Sequence, residues 1–305
     1  RQQVLAPSFN FSSSSISDGT DALRPATLRG LGPDQTLVLV NGKRRHQAAL
    51  IHINNSVGRG TAGTDLNAIP AVAIKRVEVL RDGAAAQYGS DAIAGVINIQ
   101  LKDDPGDGLF GVSAGEYSEG DGFTTNVDLY RGFELGSDGY LGIAINYRDR
   151  ERTVRANPQG VCLYGGCVDT DGNGFLEPAP GNEQREVNGP GRTGFRIGDA
   201  DSIQKAIVVN AGFGLGDGEL YSFMTYSGRE NQSGAFYRNP AGSGAALDDG
   251  ENVIIDGFLP HINSDIKDFS FNVGYRIDFD DDSSLDLSYT TGRNSIDYVT
   301  SNTVN

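Results

Sequence analysis

Nowhere in the 305 residues does a run approach the roughly eighteen uninterrupted apolar residues that a membrane-spanning helix needs, and no apolar stretch follows basic residues at the N-terminus as in a signal peptide. Membrane helices are thereby excluded. Cations are also scarce: Lys and Arg total 25 against 40 Asp and Glu, a formal charge of -15. Phosphate neutralisation needs clustered Lys and Arg, so this balance excludes a general nucleic-acid binder. The excess acid, gathered in turns such as 280–282, reads as a solvated surface. Cysteine is limited to Cys162 and Cys167, close together in a segment rich in Gly and Asp. With neither His nor a further Cys beside them a zinc site fits poorly; a small disulfide loop made in an oxidising compartment fits better, with two free thiols the alternative. Closing so short a loop contributes only about 2 kcal/mol on the chain-entropy estimate, which is local stiffening. No initiator Met and no leader precede the body of the chain, which reads as a processed or truncated start at Arg1. Also missing is any Ser/His/Asp arrangement, metal-hydrolase motif or framed carboxylate pair, so no enzyme is expected. The glycines around Gly58 and Gly60 lack the strand, Lys and Ser/Thr context of a phosphate-binding loop.

The sequence does contain 42 Gly, 12 Tyr and 14 Phe, with many Ser, Thr, Asn and Asp, a composition suited to short strands and turns. Residues 1–104 carry short continuous apolar runs broken by glycine loops. The runs 36–40 (TLVLV), 74–80 (IKRVEVL) and 95–101 (GVINIQL) read as strands, Asn41-Gly42 as a tight turn, and 84–88 as a short helical turn. This half is expected to be a compact α/β domain. In residues 105–305 the period becomes two. Phe269, Phe271, Val273, Tyr275, Ile277 and Phe279 share one face, and Ser270, Asn272, Gly274, Arg276 and Asp278 the other. Runs around Leu141, Ile207 and Leu285 repeat the pattern, each near the ten or so residues with which a tilted strand crosses a membrane. Strands are expected near 108–117, 122–133, 139–150, 203–215, 219–230, 267–279 and 284–296. Tight turns alternate with long loops near 151–202 and 231–266, longer than compact domains usually tolerate. A soluble β-sandwich alternates too, but the loop asymmetry is that of outer-membrane barrels, with short periplasmic turns and long extracellular loops. The expected fold is therefore an α/β domain followed by antiparallel transmembrane β-barrel strands. These would be seven of roughly 22, the remaining wall lying outside this sequence.

Four blocks within 26–102 give a sharper identification. They are Thr27-Leu28-Arg29-Gly30, then Val38-Leu39-Val40-Asn41-Gly42, then Ile69-Pro70, and finally 74–99, IKRVEVLRDGAAAQYGSDAIAGVINI. In this order they resemble the plug domain of TonB-dependent outer-membrane receptors, with Asp82-Gly83 where that family usually has Gly-Pro. The resemblance implies active transport of a scarce nutrient across the bacterial outer membrane, a ferric siderophore by default. Cobalamin, an oligosaccharide or a signalling role are the alternatives, and a soluble calcium-binding β-sandwich adhesin is the reading outside the family. It implies as partners the inner-membrane TonB complex, outer-membrane lipid and a small-molecule or metal-chelate substrate, with no nucleic acid and no required cofactor. The TonB box would lie upstream of Arg1.

The resemblance also assigns residues. Arg29 and Arg81 match plug arginines that bond acids of the barrel wall, a releasable lock suited to a guanidinium that stays charged; Glu78 would orient one of them. Their wall partners are expected beyond Asn305. Outward-facing plug loops would meet the substrate with Asp18, Asp34, Gln35, Arg44, Arg45, His46, His52, Asn54, Asn55 and Arg59, donors suited to an anionic or oxygen-rich ligand. An alternative is that several of these bond the barrel wall instead. Asp169, Asp171, Asn173 and Glu177 recur at alternating positions as in the first half of a calcium loop, although Pro180 stands where that loop ends in Glu; the alternative is a solvated acidic turn.

Overall fold

A computed structural model describes residues 22–23, 25–52, 59–81, 84–156, 162–163, 167–174, 177–181, 183–188, 194–238, 257–279 and 283–303. Four strands form the sheet of the first half: β1 (Thr36–Val40), β2 (Lys43–Arg44), β3 (Ile74–Leu80) and β4 (Gly95–Leu101), in the order β2-β1-β4-β3. β1 and β4 are parallel, and each is covered on both faces. Leu37, Leu39 and Val96 pack under Ala92 on one side, while Val38, Val40, Ile97 and Ile99 join Leu28, Ile69 and Val72 on the other. Two-sided burial is why the run TLVLV is apolar throughout rather than alternating. Asn41 and Gly42 both take positive φ (47° and 77°), the two-residue turn that returns β1 into β2. The short helix α1 (Ala84–Tyr88) stands between β3 and β4.

The second half is one seven-stranded antiparallel sheet. Its strands are β5 (Gly108–Gly115), β6 (Thr124–Leu135), β7 (Gly139–Arg150), β10 (Asp201–Leu215), β11 (Gly218–Gly234), β12 (His261–Asp278) and β13 (Ser284–Ser301), each paired with its neighbours in sequence order. Between β7 and β10 lie the two-residue strands β8 (Cys167–Val168) and β9 (Glu177–Pro178) and the helix α2 (Glu183–Asn188). No helix among the described residues is long and apolar enough to cross a membrane, a statement that leaves strand-built walls untouched.

The sheet is inside out relative to a soluble β-sandwich. On β12 the polar side chains Ser264, Asp268, Ser270 and Asn272 are buried, while Phe269 is exposed. On β11 Thr225, Ser227, Arg229, Asn231 and Ser233 are buried, and Tyr226 is exposed. The polar face is covered by the first domain and the apolar face looks outward, as a lipid-facing wall around a plug requires. The inner face is not polar throughout, as the sequence had suggested. Tyr130, Ala144 and Val208 form one row across β6, β7 and β10, and with Phe223 they join the core of the plug around Val72 and Ala73. A second apolar contact sets Ile266 and Ile296 of the wall against Ala22, Leu23, Ala48 and Leu50.

The later strands overshoot the expected limits, running 15 to 18 residues, so the long connections span 151–200 and 235–260 rather than 151–202 and 231–266. The stretch 229–233 is polar on both faces and 261–265 has Ile262 as its one apolar residue, which erases the hydrophobic alternation while the backbone ladder continues. Where the plug leads into β5, Gly132 lies against main chain, and a Cβ there would collide with the Asp104 carbonyl. Gly132→Ala is therefore expected to cost about 1–3 kcal/mol through forced backbone displacement, seen as a lowered unfolding midpoint of the purified protein.

Candidate ligand site and plug contacts

Inward parity on β7 carries Asn146, Arg148 and Arg150 toward the long-loop end of the wall. Strand register then lines up Arg148, Gln204 and Arg229 in one row across β7, β10 and β11, with Arg150, Ser202 and Asn231 in the next row outward. Three guanidiniums thus converge at the top of the plug in a chain of net charge -15. Arg148 and Arg150 border a cavity of about 560 Å³ lined also by Glu116, Tyr117, Thr124 and Asp199. A narrow recess shared through Arg148 and Arg150 continues down to Asn67, Gln204 and Arg229.

The three arginines are held differently. Arg229 is buried, its Nη2 donating to Asp65 Oδ2 and to the Ala22 carbonyl oxygen, both at 2.8 Å. Arg150 is buried too, with Nη1 3.6 Å from Asp199 Oδ2 and Nη2 donating to the Ala200 carbonyl at 3.2 Å. Arg148 is exposed to the cavity and has no side-chain partner among the described residues. The rim is braced beside it: Asp121 takes both Arg155 and the Val154 N–H (2.9 Å), and Arg155 lies 5.4 Å from the centre of the Tyr117 ring. The Arg155 guanidinium and the Val154 N–H hold the Asp121 carboxyl below its usual range.

A second constellation ties plug to wall. Arg45 is buried, with Nη2 on Asp268 Oδ1 and Nη1 donating to Thr225 Oγ1 at 2.6 Å. Asp268 Oδ2 also meets His46 Nε2 and the Asn294 amide, each at 2.9 Å. Lower down, Lys43 pairs with Asp286 at 2.8 Å. Asp65 and Arg229 form the mirror arrangement, with the acid on the plug and the base on the wall.

These contacts revise the expected site. Arg45 and His46 contact the wall, the alternative the sequence left open for several of these residues. His52 is fully buried: the chain turns back on itself there, with His52 N–H on the Thr61 carbonyl and Gly60 N–H on the His52 carbonyl. Arg44 is exposed but turned to Asp91 and the Tyr88 carbonyl, away from the cavity. Asp34 and Gln35 sit half-buried in the 3-10 turn Pro33–Gln35, and Arg59 is exposed. Asp18, Asn54 and Asn55 lie outside the described residues. Glu78 does not orient Arg29 or Arg81. It accepts from Arg76 Nε at 2.7 Å and from Asn98 and Gln100, because period two places Arg76 and Glu78 on one face of β3 with those neighbours. That network keeps the Glu78 carboxyl below its usual range. Arg29 Nη1 donates to the Arg81 carbonyl at 3.2 Å, joining the two proposed lock residues to each other.

In the long connection Cys162 and Cys167 are joined as a disulfide. Asp169 accepts backbone N–H bonds from Gly172, Asn173 and Gly174, Asp171 accepts from Asn173, and Glu177 takes the Thr170 hydroxyl. Among the described residues no three His, Cys, Asp or Glu side chains converge as a metal site. In this structure the carboxylates of Asp169 and Asp171 thus bond the backbone of their own turn.

Arg148 and Arg150 were missed as site residues because, in sequence, they are only the polar half of an alternating strand. Their parity with Asn146 was the available signal.

The description "TonB-dependent Receptor Plug Domain" matches residues 3–96. A ferric enterobactin receptor of Pseudomonas aeruginosa is 28% identical over 254 residues, 74% of this chain and 29% of the relative. A vitamin B12 transporter, BtuB of Vibrio cholerae, is 32% identical over 162 residues, 52% of this chain and 22% of the relative. The crystal structure of the ferric enterobactin receptor PfeA aligns over 96% of this chain and 45% of that one, at 17% identity and a TM-score of 0.46. The chain spans less than a third of the length of those two curated relatives.

Proposed function

Given that this chain carries the plug domain of a TonB-dependent receptor joined to antiparallel strands of its wall, we propose that it serves TonB-dependent uptake of an anionic, oxygen-rich ferric chelate of the siderophore class across the bacterial outer membrane. The observation that carries this reading is the convergence of Arg148, Arg150 and Arg229 above the plug, with Arg148 uncommitted and Tyr117 at its side. A guanidinium in a partly enclosed cavity bonds the oxygens of a multiply charged chelate more strongly than those of a neutral ligand. The ferric enterobactin receptors among the relatives support the same cargo class, whereas the similarity to a vitamin B12 transporter keeps cobalamin as the competing cargo. TonB would be the partner at the inner membrane, supplying work from the proton gradient.

Because Arg148 is exposed, replacing it leaves the fold undisturbed. Arg148→Ala is expected to weaken binding of an anionic ferric chelate about tenfold to a hundredfold, the worth of one or two hydrogen bonds to a charged group, and to leave cobalamin binding unchanged. Fluorescence quenching titrations on the purified full-length protein measure both. Equal binding of the chelate by variant and parent would remove the arginine cavity from the account.

A further inference from the structure

The two sides of the plug are sealed against the wall by different chemistry. On the β6–β10 side the centre of the seal is apolar, with Tyr130, Ala144 and Val208 sharing the core of the plug, and β10 adds hydrogen bonds from Gln204 to the Asn67 carbonyl and between Asn210 and Asn41 at its ends. On the β11–β13 side the cover is the segment 43–49, and the contacts below its upper end are polar. Lys43 reaches Asp286, Arg45 reaches Thr225 and Asp268, His46 lies over Gly292 and on Asp268, and the Ala49 N–H donates to Asn294 Oδ1 at 2.8 Å. The wall behind this strap is small and polar for four successive inward rungs: Asp268 with Asn294, Ser270 with Gly292, Asn272 with Thr290, and Gly274 with Ser288. Only at its upper end does an apolar lip occur, Ala48 against Ile266. At the lower end the strap overlooks a polar cavity of about 220 Å³, bordered by Lys43, Asn210, Tyr221, Arg276 and Asp286.

Resting on the import reading above, we infer that cargo passes along the inner faces of β12 and β13 when the strap 43–49 lifts, from the arginine cavity to this lower cavity, with Arg45–Asp268 as the bond that closes the way. Polar groups parted from one another are rehydrated, whereas parting an apolar seal leaves hydrocarbon facing water, so a pull on the plug opens the polar side first. The four rungs extend over seven residues of β12, 268–274, roughly 20 Å of path. A route lined by serine, threonine, asparagine and glycine offers hydrogen bonds without a deep trap for an anionic chelate.

The test is a pair of reversible thiol cross-links in the full-length protein; within residues 1–305 the two cysteines are already joined to each other. Ala49→Cys with Asn294→Cys ties the strap to β13. Lys102→Cys with Tyr130→Cys, bridged by a reducible bis-thiol spacer that replaces the two long side chains, ties the plug on the apolar side, where Lys102 Nζ lies 4.6 Å from the ring centre. Uptake of a ferric chelate should fall at least tenfold with the first link closed, recover on reduction, and persist with the second closed. Undiminished uptake with the first link closed, or arrest by the second alone, overturns the assigned path. A cargo-independent arm uses Asp268→Asn and passive entry of a small anionic dye, expected to rise severalfold; unchanged entry again overturns the path. If the reduced proteins import no chelate at all, the import reading fails, and the dye arm still decides the path.

Discussion

Asp268→Ala will destabilise the plug–wall assembly by about 3–5 kcal/mol, the usual consequence of leaving a buried charge without its partner. The side chains of Arg45 and Asp268 are 1% and 3% exposed, so water cannot take the place of the lost carboxylate. The same substitution also strips an acceptor from His46 and from Asn294. Denaturant titration of the full-length protein, followed by a probe in the plug, reads the loss. Removing both charges, as Arg45→Met with Asp268→Leu, should recover most of it, because an apolar pair of similar volume needs no counter-ion. A single variant as stable as the parent would mean that the buried pair does not fasten the plug.

Arg229→Ala is expected to rank next, and above Asp65→Asn. Truncating Arg229 removes two plug contacts at once, to Asp65 and to the Ala22 carbonyl, and strands the carboxylate of Asp65, whose side chain is 1% exposed. Again the expected cost is about 3–5 kcal/mol. Asp65→Asn keeps an oxygen that can accept the Asn67 N–H, the bond that caps the 3-10 turn Leu66–Ala68, and it leaves Arg229 on the Ala22 carbonyl. Its cost should be about 1–3 kcal/mol. In a double-mutant cycle the pair should show coupling of about 0.5–3 kcal/mol. Equal costs with no coupling would make the contact incidental.

The fold was largely legible in sequence because its signals are local. The alternation of Phe269 through Phe279 marked an outward face, and the turn at Asn41-Gly42 marked the β1 hairpin. Strand ends failed where residues 229–233 became polar on both faces and 261–265 kept only Ile262 as an apolar residue, since register is then set by pairing alone. The site was far less legible. Arg45 meets an acid 223 positions away, and no local pattern tells whether a plug-loop arginine points at cargo or at the wall. Arg44 and Arg45 look equivalent in sequence; the structure gives one to Asp91 and the other to Asp268. The arginines of the proposed ligand cavity lie instead on a wall strand, where only parity, a periodic property, could have pointed inward.

The most direct test of the proposed uptake is accumulation of a labelled ferric chelate in cells that carry the full-length protein and lack other chelate receptors, with and without functional TonB. The account predicts accumulation that requires TonB and is lost in Arg148→Glu, which repels the ligand. Equal accumulation without TonB, or undiminished accumulation in Arg148→Glu, would contradict it.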